Sequence, residues 1–178
     1  MNFIPSIVRF SARICCMLLL FSSLASHAHD APHFNLSNVN KTTTLGSLHW
    51  ADVTKSVTPA EAKVQLLNTT DVDDHFTVPL TDASHWFALT IHNPTERAQT
   101  PTLYVRSAYP NKVNLHYQQN TNWVSQFNGT DVPLAQRQVR LITPAFQLDL
   151  EPNESRTYYL EVHTKIKLLA VEINIDDV

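Results

Sequence analysis

Cysteine and glycine are both scarce in this chain of 178 residues. The two cysteines, Cys15 and Cys16, lie side by side near the N-terminus, so we expect no disulfide, thiol nucleophile or cysteine-ligated metal in the rest of the chain. The two glycines, Gly46 and Gly129, are too far apart for a glycine-rich phosphate loop. The histidines include no HExxH or comparable ligand pair. The sequence therefore predicts no cofactor and no metal.

Basic residues are fewer than acidic ones, at 13 lysines and arginines against 16 aspartates and glutamates. Residues 1–28 contain two arginines and no acidic residue, so the formal charge falls from −3 for the whole chain to −5 without them. An acidic domain without a basic run binds nucleic acid poorly. After that segment, no stretch approaches the roughly 18 consecutive apolar residues of a membrane span. We therefore expect no nucleic-acid partner.

The first 28 residues have the pattern of a secretory signal peptide. Their positive charges precede an apolar run at 14–24, which is shorter than the about 20 residues of a membrane helix. Ser26-His27-Ala28 then places small residues at a cleavage site. Neither cysteine follows the small residue that a lipoprotein signal requires. We predict export, with a retained N-terminal anchor as the lesser alternative, followed by a flexible leader over residues 29–41.

The run from His85 to Pro94 is the clearest structural signal. Phe87, Leu89 and Ile91 alternate with smaller or more polar residues, which is the period of a strand with one buried face. Pro94 ends the run because it has no N–H for a strand ladder. Trp86 falls on the face opposite Phe87, where it is either a lid or a presented aromatic.

Similar runs recur about every 8–12 residues, which is typical of an all-β domain. The predicted strands cover residues 45–50, 102–107, 112–117, 123–127, 137–142, 145–150, 156–164 and 168–175, with an edge-like segment at 77–80. Thr58, Pro59 and Glu61 have the spacing of a capping box, which predicts one short helix to about Leu67. Residues 68–75 are expected to form a polar loop. Because each strand has one apolar and one polar face, residues 42–178 are predicted to form an antiparallel β-sandwich, jelly-roll-like, with one short N-terminal helix.

The order and spacing of several motifs between Leu45 and Ile175 resemble a known family. The motifs are Trp86–Asn93, Val113–Tyr117, Pro144–Leu148 and Leu150–Val162. They resemble the second type of extracellular domain of bacterial seven-helix receptors with diverse intracellular signalling modules (7TMR-DISMED2). Asn153 stands where the family usually has glycine, and Glu161 where it often has arginine.

The resemblance implies a jelly-roll fold like that of carbohydrate-binding modules. It also implies a periplasmic domain, or one on the extracellular face of the inner membrane, that senses rather than catalyses. In the family, seven membrane helices and a cytoplasmic output follow this domain, so we expect either a receptor fragment or a freestanding version. The implied partners are a carbohydrate or other small-molecule ligand and a seven-helix receptor portion or membrane signalling partner.

Several aromatic and basic residues fall on the polar phase of the strands or in adjoining loops. Aromatic faces stack on sugar rings, and arginine donates to hydroxyls and carboxylates. The ligand-binding candidates are Trp86, Tyr104, Arg106, His116, Arg137, Arg140 and Tyr159, with His163 beside them. They form a site only if several converge on one face. Otherwise Trp86 is a structural lid, and Arg137 pairs with an acid across the sheet.

Three functions stay open at this point. The preferred one is a non-catalytic sensory domain that binds a carbohydrate or a small carboxylated metabolite. The alternative is a structural or protein-interaction module that contacts a membrane partner without a small ligand. A sugar-active enzyme would need two carboxylates about 5–10 Å apart. Asp149 and Glu161 lie on outward strand faces, but the sequence identifies no partner for either. The acidic residues at 71–74 are predicted to form a solvated turn rather than a calcium loop.

Overall fold

In the computed structural model, the described residues are 30–38, 42–44, 47–53, 57–67, 69, 71–73, 76–79, 84–106, 110–163 and 168–176. The predicted signal peptide lies outside them. Within these ranges the strands are β1 His33–Asn35, β2 Thr42–Thr44, β3 Ser47–Val53, β4 Asp71–Asp73, β5 Phe76–Pro79, β6 Ser84–His92, β7 Thr102–Arg106, β8 Lys112–Gln119, β9 Asn122–Asn128, β10 Ala145–Gln147, β11 Ser155–His163 and β12 Leu168–Asp176. Helix α1 spans Pro59–Leu66, and short 3-10 helices span Leu36–Asn38 and Leu134–Gln136.

The strands form two sheets. Sheet one has the order β4-β3-β6-β11-β8-β9, and β1 pairs with the second half of β6 beyond the end of β3. Sheet two has the order β10-β7-β12-β2, with β5 beside the other half of β12. The pairing of β1 with β6 is parallel, and the other described strand pairs are antiparallel. The prediction of an all-β, jelly-roll-like antiparallel sandwich is therefore confirmed.

The core lies between the sheets and is built from the predicted apolar phases. Phe87, Leu89 and Ile91 of β6 are buried in it, together with alternate residues of β8 and β11. Leu103 and Val105 of β7 contribute from sheet two. Since one face of each strand is used in this way, the residues between them point away from the core.

Helix α1 begins as the sequence predicts. The Thr58 hydroxyl accepts a hydrogen bond from the Glu61 N–H, and the Glu61 carboxylate accepts one from the Thr58 N–H, at 3.3 and 2.8 Å. Ala62 and Leu66 are buried against sheet one, on the side away from the core. The helix thus lies over part of a strand face that the sequence suggested was open.

Three segments differ from the prediction. Residues 71–73, expected in a polar loop, form β4, because they find backbone partners along β3. Residues 33–38, assigned to the leader, form β1 and a 3-10 helix against β6. Residues 137–142 were predicted as a strand but form bends.

The bends at 137–142 have a local cause. The Arg137 guanidinium donates to the carbonyl oxygens of Val132, Leu141 and Gly129 at 3.0, 2.8 and 2.7 Å. One side chain therefore joins both arms of the loop between β9 and β10 and turns the chain back on itself. No helix within the described residues is long and apolar enough to cross a membrane.

Candidate functional site

Polar and aromatic side chains collect on the side of sheet one that points away from the core, which we call the outer face. Strand pairing places Glu161 of β11 opposite Asn114 of β8 on one side and Trp86 of β6 on the other. Tyr159, two residues earlier, lies opposite His116 and Ala88. The outer face therefore brings residues from three separate runs of sequence into one neighbourhood.

One end of the outer face holds a buried carboxylate surrounded by donors. Glu161 Oε1 accepts hydrogen bonds from Ser84 Oγ and Lys112 Nζ, both at 2.9 Å, and Oε2 accepts one from Asn114 Nδ2 at 2.7 Å. His116 Nε2 lies 3.7 Å from Oε2, beyond hydrogen-bond length. We call these five residues the Glu161 cluster.

The polar and charged neighbours of Glu161 decide its ionisation. Burial alone would raise the pKa of Glu161, whose residue is only 7% exposed. His116, Lys112 and Ser84 outweigh burial and lower the pKa to about 2. The carboxylate is thus charged at neutral pH, and its oxygens are already hydrogen-bonded to side chains within the protein.

Trp86 and His116 close the Glu161 cluster from one side. Their rings stack with centroids 5.2 Å apart and an interplanar angle of 24°. His116 Nδ1 is 2.8 Å from Ser125 Oγ on β9, which fixes the imidazole in place. Trp86 is 1% exposed, so it is a buried lid rather than a presented aromatic.

The other end of the outer face contains a cleft beside α1. Two adjoining cavities of about 200 Å³ each share Lys63 of the helix with Thr157 and Tyr159 of β11. We call them together the Lys63 cleft. The remaining lining residues are Asp30, Ala31, His49, Leu66, Leu67, Ala88, Gln118, Glu154, Ser155 and Arg156.

Lys63 is a positive charge of this cleft with a single hydrogen-bond partner in the described part of the chain. Its Nζ donates to Gln118 Oε1 at 3.3 Å, and no carboxylate among the described residues pairs with it. The other basic residue of the cleft, Arg156, forms an ion pair with Glu154 at 2.6 Å. The Lys63 ammonium therefore has donors to spare toward the cleft.

Tyr159 forms the floor of the cleft. It belongs to a small apolar cluster with Ala62, Leu66 and Ala88. Its ring and that of Trp123 form a T-shaped contact with centroids 5.4 Å apart. Burial raises the pKa of Tyr159, so its hydroxyl stays protonated at neutral pH. The cleft thus combines an apolar floor with polar walls.

Three of the predicted ligand-binding residues come together on the outer face. They are Trp86, His116 and Tyr159, and all three are buried rather than displayed. The prediction of their strand phase is confirmed. The expectation that His116 and Tyr159 face solvent is wrong, whereas the burial of Trp86 agrees with its alternative role as a structural lid. The physical reason is that α1 and Trp123 pack on the apolar part of this face, while the Glu161 cluster fills the polar part.

The other predicted residues lie elsewhere. Tyr104 and Arg106 alternate with core residues of β7, so they belong to the far side of sheet two, across the sandwich. The pKa of Tyr104 is raised, first by burial and then by the nearby Asp176 carboxylate. Arg140 is exposed in the loop between β9 and β10.

Arg137 of the same loop binds backbone carbonyl oxygens, rather than lying on an open face or pairing with an acid, as its two interpretations required. His163 is half-buried at the end of β11, opposite Lys112.

Sequence reasoning missed Lys63, Gln118 and the partners of Glu161. Lys63 lies on a helix whose cap was recognised, but the helix's position over the outer face has no local signal. Among the described residues, no group of three histidine, cysteine, aspartate or glutamate side chains could hold a metal ion.

Comparisons with known proteins give one family and several distant structural likenesses. The family model 7TMR-DISM extracellular 2 matches residues 45–175. No curated protein matches the chain at a significant level. The chain is similar in structure to TmCBM61, a carbohydrate-binding module solved with β-1,4-galactotriose, at 9% identity and a TM-score of 0.39 over 77% of this chain and 88% of that one. It is also similar to the enzymatically active domain of tailspike protein 4 of bacteriophage CBA120, at 14% identity and a TM-score of 0.35 over 77% of this chain and 19% of that one.

Proposed function

The chain belongs to the 7TMR-DISM extracellular 2 family, and from this premise we propose that it is a non-catalytic sensory domain whose small polar ligand binds in the Lys63 cleft. The family is one of receptor extracellular domains, so the protein is exported to the periplasmic or extracellular side of the membrane. The observation that carries the proposal is the under-bonded Lys63 ammonium over a polar cleft.

The chemistry of the cleft favours a ligand that carries both a carboxylate and hydroxyls. The ammonium of Lys63 is a point charge suited to a carboxylate. The Thr157 hydroxyl and the Gln118 amide supply neutral donors and acceptors within the same lining. A neutral sugar would use only the neutral groups of Thr157 and Gln118 and not the charge of Lys63. We therefore favour a small carboxylated metabolite or an acidic sugar over a neutral carbohydrate.

Signalling would use the helix that forms one wall of the cleft. Only Ala62 and Leu66 of α1 are buried against the outer face, so a ligand wedged between the helix and β11 shifts the helix at modest cost. The receiving partner is a seven-helix receptor portion or another membrane signalling protein. A ligand can shift this arrangement only by its difference in affinity for the two helix positions.

The test is calorimetric titration of the purified exported protein with a panel of small carboxylates, acidic sugars and neutral sugars. Lys63→Met should weaken binding of any carboxylate hit by at least about tenfold, because a charge-assisted hydrogen bond is lost. The matched control is Arg140→Gln, which removes an exposed cation outside the cleft and should leave affinity unchanged. Binding that survives Lys63→Met, or that depends on Arg140, would place the ligand elsewhere.

A second function is favoured by the loop between β9 and β10. Leu134, Leu141 and Ile142 are exposed there, Ile142 at 93%, on a loop that Arg137 holds in a fixed shape. Exposed apolar side chains on an ordered loop are typical of protein contacts. If the chain is instead a protein-interaction module, cross-linking to a membrane partner should be lost in Ile142→Glu and be indifferent to every small ligand.

A further inference from the structure

Strand β9 differs from the other edge strands of the described sheets. It has seven residues, whereas β1, β2, β4 and β10 have three each, and β5 has four and ends in proline. Edge strands expose unpaired backbone groups, and proteins usually protect them by shortness, proline or charge. The sequence of β9, NWVSQFN, has no charged residue and no proline. This edge is therefore unprotected by the usual means.

The pairing of β9 with β8 fixes which backbone groups face outward. The two strands are joined by a two-residue turn, with Asn120 at a φ of 57°, and pair in register from Gln119 opposite Asn122. Such a turn closes on a hydrogen-bonded pair, and hydrogen-bonded and non-bonded pairs then alternate. The N–H and C=O groups of Trp123, Ser125 and Phe127 consequently point away from β8. No strand in the described ranges pairs with them.

We propose that β9 pairs antiparallel with β9 of a second copy of this chain, with the two-fold axis at Ser125, so that sheet one continues across both copies. The sequence of β9 is close to a chemical palindrome about that residue. Ser125 would face Ser125 of the second copy, Trp123 would face Phe127, and Asn122 would face Asn128. A two-fold axis requires such self-complementarity, because each pair occurs twice.

The side chains fit this register. Trp123, Ser125 and Phe127 share the outer face, since Ser125 lies opposite His116. Phe127 is 56% exposed although it is aromatic, and it would gain the ring of Trp123 of the second copy as a cross-strand neighbour. Serine at the axis is small enough to let the two backbones approach.

The flanking loop leaves the edge open. The loop between β9 and β10 is held against β10, where the Gln147 N–H donates to Gln138 Oε1 at 3.3 Å. Between this loop and residues 125–128 there is a cavity of about 370 Å³. Residues on the inner phase of the second strand, such as its Val124 opposite Gln126, would extend toward this space.

Cysteine cross-linking tests the register directly. In the full chain with Cys15→Ser and Cys16→Ser, Ser125→Cys should form a homodimeric disulfide quickly under mild oxidation. Opposed residues of a hydrogen-bonded antiparallel pair are about 5.5 Å apart at Cα, within disulfide range. Thr121→Cys, on the exposed turn of the same hairpin, is the matched control and should stay monomeric. Equal rates for the two variants, or no disulfide in either, would overturn the proposed pairing.

A variant without cysteine gives a second readout. Light scattering of the Cys15→Ser, Cys16→Ser protein over a wide concentration range should show a monomer–dimer equilibrium. Phe127→Lys places a charge on the edge and removes both aromatic pairs, so it should raise the dimer dissociation constant by about tenfold or more. Because Phe127 is exposed in the single chain, the thermal unfolding of the Phe127→Lys protein should match that of the parent protein. A monomeric mass at every concentration in the parent protein would refute the dimer.

Discussion

The two ends of the outer face use polar groups in opposite ways. In the Glu161 cluster, one carboxylate takes hydrogen bonds from three side chains and is almost fully buried. In the Lys63 cleft, one ammonium makes a single long hydrogen bond beside open space. A polar group whose hydrogen bonds are all formed within the protein stabilises the fold, whereas one with unused hydrogen-bonding capacity can bind a ligand. The difference separates the architectural end of this face from the end available to a ligand.

The largest expected effect is at the architectural end. Glu161→Gln removes the charge that Lys112 and Asn114 are arranged around, and it should lower the free energy of unfolding by about 3 kcal/mol. Urea denaturation followed by circular dichroism measures this loss. Asp149→Asn, an exposed carboxylate two residues after β10, is the control and should change stability by less than about 0.5 kcal/mol. Equal losses of stability in both variants would contradict the claim that the hydrogen-bonded Glu161 carboxylate stabilises the fold.

Acid should erase most of that same contribution. The pKa of Glu161 is lowered from its ordinary 4.5 to about 2 in the folded protein, so the unfolded chain takes up the proton first. The stabilisation is therefore complete above pH 4.5 and is lost as the pH falls toward 2, by up to about 3 kcal/mol. Denaturation of wild type and Glu161→Gln at successive pH values should show the two converging in acid. A constant difference between them would contradict the assignment.

A smaller effect is expected at the helix that walls the Lys63 cleft. Thr58→Ala removes the cap acceptor of α1 and should cost about 1 kcal/mol of stability. The same substitution should also weaken the binding of any ligand in the cleft, because the helix that forms its wall is less well ordered. Thr58→Ser keeps the hydroxyl and is expected to match the wild type in both thermal unfolding and titration. A full loss of folding in Thr58→Ala would show that α1 does more than line the cleft.

The smallest effect on stability is expected at the ligand end itself. Lys63→Met keeps the aliphatic stem and removes a charge with one long hydrogen bond, so the free energy of unfolding should stay within about 0.5 kcal/mol of wild type. The measurement is the same urea titration used for Glu161→Gln. A loss as large as that of Glu161→Gln would mean that Lys63 is architectural and that the two ends do not differ in kind.

Local patterns in the sequence were sufficient for the strands with a clean period of two. β6, β8 and β11 follow from alternating apolar residues, and α1 follows from its capping box. The loop around Arg137 shows where such patterns fail. Val139 and Leu141 alternate as in a strand, yet Arg137 binds backbone carbonyls on both sides and outcompetes a ladder. That competition depends on distances across a loop, which no local pattern contains.

The candidate site was only partly predictable for a similar reason. The phase of Trp86, His116 and Tyr159 could be read from the strands, but their convergence depends on strand order, which sets Glu161 between Trp86 and Asn114. Glu161 had no visible partner in the sequence because its three donors come from two other strands, Ser84 from β6 and Lys112 and Asn114 from β8. Lys63 became a candidate only once α1 was placed over the face.

Strand β1 bears on the timing of secretion. It joins the sheet in parallel, with His33 beside Thr90, and the Thr90 N–H donates to the Pro32 carbonyl at 2.8 Å. An exported chain crosses the membrane from its N-terminus, so β1 arrives well before β6, the strand that completes it. Until β6 has crossed, this segment has no place to dock and stays open to proteases and chaperones. Protection of residues 33–35 from cleavage thus reports that β6 has crossed the membrane and paired with β1.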